Sequence, residues 1–264
     1  MTLSDGRRIS LTDARNGELA LESGVKIVKT DDGLVIYKME DIKRPDDQLS
    51  FNKIETPIGG QYQIIMPDGS KVWLNSASSL RYPVHFTGLE RRVEITGEAY
   101  FEVSHDASRP FRVMSGKQTV EVLGTSFNIM AYKDEESIKT TLIQGSVLVM
   151  HGKVSKLIKP GQQTSIKEDN ISINDADISE AMAWKNGYFI FKSENIGSIM
   201  RKISRWYNVK VEYQGNDMAK VFGGKISRAR KVSEVLKMLE STGSLNFKLI
   251  SNESGKEGRL IIMP

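Results

Sequence analysis

Over its first 180 residues the chain alternates apolar with polar residues in short runs, and no window sustains a helical period. A period of two buries one face of each strand and wets the other, so this stretch is confined to an all-β architecture, sandwich- or solenoid-like. Predicted strands include Ile9-Ser10-Leu11, Val35-Ile36-Tyr37, Val72-Trp73-Leu74, Val93-Glu94-Ile95, Tyr100 to Val103, Val120 to Leu123, Ser126 to Ile129 and Ser146 to Val149. Leu3-Ser4-Asp5-Gly6-Arg7-Arg8-Ile9-Ser10-Leu11 returns 63 residues later as Met66-Pro67-Asp68-Gly69-Ser70-Lys71-Val72-Trp73-Leu74. Each copy sets Asp-Gly between alternating segments, a hairpin signal that predicts a type I′ turn with φ > 0 at both central residues. Asp31-Asp32-Gly33 offers the turn a third time. The register of Ile9 with Val72 and of Leu11 with Leu74 leaves room for an internal repeat.

Beyond residue 180 the pattern changes. Tyr188 to Phe191 reads as a short strand, with Ser193 as the N-cap of a following helix. Ile196, Ile199, Met200, Ile203, Trp206 and Tyr207 fall at offsets 0, 3, 4, 7, 10 and 11, one face of an amphipathic helix. Val209 to Tyr213 and Val221 to Ile226 are strands, and Val232, Val235, Leu236 and Leu239 mark a second helix ended by Gly243. Leu245 to Leu249 and Leu260 to Ile262 close the chain. The expected organisation is mostly β: an all-β domain over 1–180, then a small α/β domain of order βαβ-βαββ over 181–264.

The 264 residues carry 37 Lys plus Arg, 33 Asp plus Glu and no cysteine. Thiol nucleophiles, disulfides and thiolate metal sites are therefore excluded. The formal charge of +4 has no stripe behind it. Arg91-Arg92, Lys43-Arg44 and Arg228-Ala229-Arg230-Lys231 are scattered, so no nucleic acid partner is expected. Arg228 to Lys231, ahead of a helix, is a candidate partner contact. His85, His105 and His151 lack ligand spacing and read as solvated turn histidines. His105 stands near Glu98 and Glu102, an acid–base pairing that strand geometry disfavours. Gly59-Gly60 and Gly223-Gly224 lack the context of a phosphate loop, and Glu135-Glu136 and Asp46-Asp47 read as solvated. No catalytic constellation emerges, so an enzyme is not expected and no cofactor is implied. Apolar runs stop far short of the roughly 20 residues of a membrane helix.

Thr56-Pro57-x-Gly59-Gly60-Gln61-Tyr62 is followed by Pro67-Asp68-Gly69-Ser70-x-Val72-Trp73-Leu74-Asn75-Ser76-Ala77-Ser78-Ser79-Leu80-x-Tyr82-Pro83. Gly97-Glu98-Ala99-Tyr100-Phe101-Glu102-Val103, Pro110-Phe111-x-Val113 and Val120-x-Val122-Leu123-Gly124-Thr125-x-Phe127-Asn128 come next. Leu142-x-x-Gly145-Ser146-Val147, Lys159-Pro160-Gly161-Gln162 and Trp184-Lys185-x-Gly187 complete the series. This order of motifs closely resembles the FecR family of anti-sigma regulators in its Bacteroidetes form. The C-terminal unit resembles the short domain shared by secretins and TonB-dependent receptors. Within the motifs, Asp68, Gly69, Asn75 and Glu98 are structural positions, and Tyr100, Phe101 and Phe127 are expected core anchors. Gly97, Gly124 and Gly145 are each expected in a turn before a strand, with φ > 0.

The resemblance implies a periplasmic relay. An outer-membrane TonB-dependent transducer would present its signalling domain to this region. An extracytoplasmic-function (ECF) sigma factor would be held by a cytoplasmic segment absent from this chain. The chain is thus expected to be the periplasmic part of a protein anchored in the inner membrane, with no membrane insertion of its own. Docking is expected on a sheet edge of the small domain through Lys210, Glu212, Lys220 and Phe222. The alternative is a periplasmic carbohydrate- or ligand-binding β-module, with Trp73, Tyr82 and Tyr100 as its aromatics.

Overall fold

A computed structural model describes residues 1–22, 25–31, 34–39, 50–214, 220–241, 245–250 and 258–263. Asp32-Gly33, Lys43-Arg44, Asp46-Asp47 and Gly243 lie outside the described residues. The chain divides into two compact units, Met1–Pro57 with Gln61–Ala176, and Ile58–Gly60 with Asp177–Pro264.

Among the described residues the first unit contains strands and no helix. In order they are β1 (Gly17–Glu22), β2 (Val25–Lys29), β3 (Val35–Met39), β4 (Phe51–Glu55), β5 (Tyr62–Ile65), β6 (Lys71–Leu74), β7 (Ser79–Pro83) and β8 (Arg91–Glu102). Then come β9 (Phe111–Ser115), β10 (Gln118–Val122), β11 (Ser126–Ala131), β12 (Ile138–Gln144), β13 (Val147–His151), β14 (Val154–Ile158), β15 (Gln162–Lys167) and β16 (Asn170–Asp175). One layer runs β1-β2-β3-β5-β6-β8-β11-β12-β15-β16, the other β4-β7-β8-β9-β10-β13-β14. Their inward faces meet in one apolar core, where Phe101 stacks on Phe127 at 5.0 Å and meets Phe111 at 6.3 Å. The unit is thus a two-layered sandwich, the first of the two expected forms.

β8 belongs to both layers. Its first half pairs with β7 and β9, its second with β6 and β11. Between the halves stands Gly97, at φ +81°. Two short strands were expected here, with Gly97 in a turn; instead one strand passes through the glycine and changes layer. The constraint at Gly124 also differs from expectation. Its φ is not positive, and a side chain is barred because a Cβ would lie 2.7 Å from His105 Cα. Gly145, at φ +96° between β12 and β13, is the turn glycine expected.

The two Asp-Gly hairpins share one geometry. Gly6 N–H donates to Leu3 O and Leu3 N–H to Arg7 O, as Gly69 does to Met66 and Met66 to Ser70. Asp5 Oδ1 accepts from Arg7 N (2.9 Å) and Asp68 Oδ1 from Ser70 N (3.0 Å). Only the glycine has positive φ in each, +87° and +81°, so the turn is not type I′. Each loop is instead a three-residue turn ending on a left-handed glycine, with Ser4 in one copy and Pro67 in the other at its first position, where the φ near −65° of a proline ring fits. The likeness ends with the turn: Val72–Leu74 is in β6, whereas Ile9–Leu11 forms no strand.

The core has polar exceptions. His151, expected in a solvated turn, is 7% exposed at the end of β13, with Nε2 3.5 Å from Asp169. It pairs with Gln118, whose Oε1 accepts from Thr140 in the opposite layer at 3.3 Å. Thr164, opposite Thr140, is fully buried, and no group among the described residues partners its hydroxyl. Thr164→Val is therefore expected to stabilise the β unit by about 1 kcal/mol, read as a rise of roughly 2–4 °C in its unfolding midpoint. A lower midpoint would show that the hydroxyl is satisfied.

The second unit contains α1 (Ile178–Ala181), β17 (Tyr188–Asn195), α2 (Ile196–Tyr207), β18 (Val209–Tyr213), β19 (Val221–Ser227), α3 (Val232–Glu240), β20 (Asn246–Ile250) and β21 (Gly258–Met263). The βαβ-βαββ order is the expected one, but the strands form two sheets, β17-β19 and β18-β21-β20. Ile196, Ile199, Met200 and Ile203 of α2 join Val235, Leu236 and Leu239 of α3 in the core. The cap of α2 is Asn195, whose Oδ1 accepts from Ser198 N at 2.8 Å. Ser193 is instead in a bulge of β17, at φ +49°, two residues too early to cap.

Candidate functional site

β18 lies at the edge of its three-stranded sheet, with β21 on one side and no strand on the other among the described residues. Period-two alternation turns Val209 and Val211 toward the helices and leaves Lys210 and Glu212 on the outer face. Arg259 of β21 clasps Glu212 with two bonds, Nε–Oε1 at 3.1 Å and Nη2–Oε2 at 2.5 Å. That hydrogen-bonded guanidinium holds the Glu212 carboxyl below its ordinary range and raises Arg259 in turn. Lys210 is exposed, and Tyr213, 40% exposed, ends the strand.

Lys220 and Phe222 belong to the other sheet. Lys220 immediately precedes β19, and its carbonyl accepts the Ile196 N–H at the start of α2 (3.1 Å). Phe222 is only 4% exposed and sits in the core; its neighbour Val221, 59% exposed, is the residue that faces outward. The structure therefore corrects Phe222 as a surface residue. Its parity follows from pairing with Glu194 across the bulge in β17, a long-range register that local alternation does not disclose. The four expected residues do not share one sheet, and only Lys210 and Glu212 share one strand.

Arg228 is also corrected. It is 8% exposed, with its guanidinium 4.8 Å from the Phe189 ring and 4.7 Å from the Trp206 ring, a packed cation–π position rather than a partner contact. Arg230 pairs with Glu234. Of the rings proposed for a glycan platform, Tyr82 is fully buried and Tyr100 is 6% exposed. Tyr82 instead shares a hydroxyl hydrogen bond with Tyr37, and burial raises both phenols. Trp73 packs against Tyr100 at 5.4 Å.

The motif residues of the β unit are tied together below its surface. Arg91 is 1% exposed; its Nη1 contacts Asp68 Oδ2 at 2.9 Å and Ser104 O at 2.8 Å, and its Nε donates to Arg109 O. Asp68 also accepts the Ser70 hydroxyl (2.7 Å), and Ser70 Oγ accepts the Ser104 N–H (3.0 Å). Glu98 accepts from Asn75 Nδ2 at 2.7 Å and Asn128 Nδ2 at 3.0 Å, while its own N–H donates to Ser78 Oγ. The role of Arg91 is not disclosed where Arg91-Arg92 reads only as one of several scattered basic clusters. The alternation with Val93 and Ile95, which puts Arg91 on the inward face, was the available signal.

Among the described residues no cluster of His, Cys, Asp or Glu could hold a metal ion, and no helix is long and apolar enough to cross a membrane. Residues 52–148 match the family described as FecR protein, and residues 188–255 match FecR, C-terminal. Two solved structures of a candidate anti-sigma factor from Parabacteroides distasonis are similar, each with a TM-score of 0.73. They are 28% and 27% identical, over 80% and 81% of this chain and 98% of each of theirs. No curated protein matches the chain.

Proposed function

The chain belongs to the FecR family of anti-sigma factors, and from that premise we propose that it is the periplasmic signal-relay region of such a regulator. In this reading the second unit receives the signalling domain of an outer-membrane TonB-dependent transducer. The signal then passes through an inner-membrane anchor to a cytoplasmic segment that controls an ECF sigma factor. The observation that carries the reading is the edge of β18, which no strand covers among the described residues and which runs beside Lys210 and Tyr213. An exposed edge pairs readily with a strand from another chain; main-chain bonds supply affinity and alternate side chains supply choice. Likeness of this unit to the secretin and receptor short domain is part of the same proposal, since two such units could extend one sheet.

The test is titration of the purified chain with the signalling domain of the transducer encoded beside it. Saturable binding is expected, and Lys210→Glu combined with Tyr213→Ala is expected to weaken it at least about tenfold, roughly 1.4 kcal/mol. Both positions are exposed, so the far-ultraviolet spectrum of the variant should match the parent. Undiminished binding by the variant would move the docking surface elsewhere. No binding at tens of micromolar would remove the transducer from the reading.

A further inference from the structure

One end of the β unit holds a polar cleft of about 310 Å³, at the lower limit of the roughly 300–1,000 Å³ typical of small-molecule sites. Four segments that are distant in sequence converge on it: the Asp-Gly hairpin at Gly69, the end of β8 through His105, the Gly124–Ser126 turn and the end of β12. Strand register lays four lining residues in one row. Lys71 stands opposite Glu102, Glu102 opposite Ser126, and Ser126 opposite Gln144. Directly opposed residues hold their Cβ atoms about 5 Å apart, yet Lys71 enters no ion pair among the described residues. A cation, a carboxylate, a hydroxyl and an amide thus line the cleft in one row, and His105 joins them beside Gly124.

The cleft is preformed. Val103 N–H donates to Thr125 O (3.0 Å) and Asp106 N–H to Leu123 O (2.8 Å), which joins the two loops that flank it. Beneath them the buried Arg91 holds the Ser104 carbonyl. Gly124 packs directly on His105, where no side chain could fit. Rigid walls cost a ligand less ordering entropy than mobile ones.

The lining selects a chemical class. It contains no aromatic ring, so a sugar finds no stacking face. It does present a positive and a negative group side by side, which a small ion of one sign satisfies only in part. We propose that this cleft binds a small zwitterion of the amino-acid or dipeptide class, its carboxylate toward Lys71 and His105 and its ammonium toward Glu102. The site gives the regulator a second input, carried by the β unit, whereas the transducer-docking edge belongs to the second unit.

The experiment is an amide chemical-shift titration of the isotope-labelled chain with L-alanine and L-alanyl-L-alanine, with glucose, sodium acetate and methylammonium chloride as controls. A zwitterion is expected to give saturable shifts at His105, Ser126 and Gln144 with a Kd of about 1 mM or tighter, and the controls none. Lys71→Met and Glu102→Gln are each expected to weaken binding about tenfold. Lys71 is exposed, so its replacement leaves the thermal midpoint unchanged and keeps the test valid should the Glu102 variant fold poorly. No saturation by about 10 mM of either zwitterion, equal shifts with acetate, or saturation by glucose alone would each overturn the proposal. Failure of the chain to bind the transducer would leave it untouched.

Discussion

Gly97→Ala is expected to destabilise the β unit by more than about 4 kcal/mol, in the range that single substitutions seldom reach. Two effects add. An L-residue at φ +81° incurs roughly 1–2 kcal/mol for the left-handed conformation. The new Cβ would also lie 2.7 Å from Ser78 Cα and 2.8 Å from Ser78 Cβ. Ser78 cannot withdraw easily, because its N–H donates to Thr56 Oγ1 and its carbonyl accepts from Thr56 N (2.8 Å each). Gly116→Ala separates the two effects: φ is +59° there, but nothing lies within 4 Å of the added carbon. The expected loss at Gly116 is about 1 kcal/mol. Urea denaturation followed by circular dichroism measures both, and equal losses at the two positions would contradict the steric account.

Removing the guanidinium in Arg91→Met is expected to cost about 3–5 kcal/mol, the penalty of stranding one partner of a buried ion pair. Asp68 has only 8% of its side chain exposed, and the Ser104 and Arg109 carbonyls would lose their donors. Adding Asp68→Asn to Arg91→Met should recover part of the loss, because no isolated carboxylate then remains buried. A double-mutant cycle in urea gives the coupling directly. Additive losses in that cycle would mean that Arg91 serves through its backbone-directed bonds alone.

Local pattern reveals much of this fold. Alternation located most strands of the β unit, and the offsets from Ile196 to Tyr207 located α2 and its buried face, because both depend on the spacing of apolar residues along one segment. Alternation leaves open whatever a distant partner decides. Gly97 looks like a turn until β6, β7 and β11 supply strands on either side of it. His151 looks solvated until Gln118 and the opposite layer cover it. Phe222 and Val221 exchange inside for outside according to a bulge some thirty residues earlier. The candidate docking edge was legible only in part for the same reason: Lys210 and Glu212 follow from the alternation of β18, whereas Phe222 does not follow from that of β19. Of the polar cleft, only the nearness of His105 to Glu102 was legible. Its row of four side chains comes from four strands that only the sheet register sets side by side.

The strand that crosses at Gly97 also governs how the β unit can come apart. In a sandwich whose layers share no strand, one layer can detach while the other keeps its ladder intact. Here β8 is an interior strand of both layers, so withdrawing it removes the neighbour of β6 and β11 on one side and of β7 and β9 on the other. The strands therefore lack a line of cleavage that leaves both layers whole, since parting them takes either half of β8 from its neighbours. A load entering through one layer is carried into the other along a continuous backbone rather than across side-chain contacts.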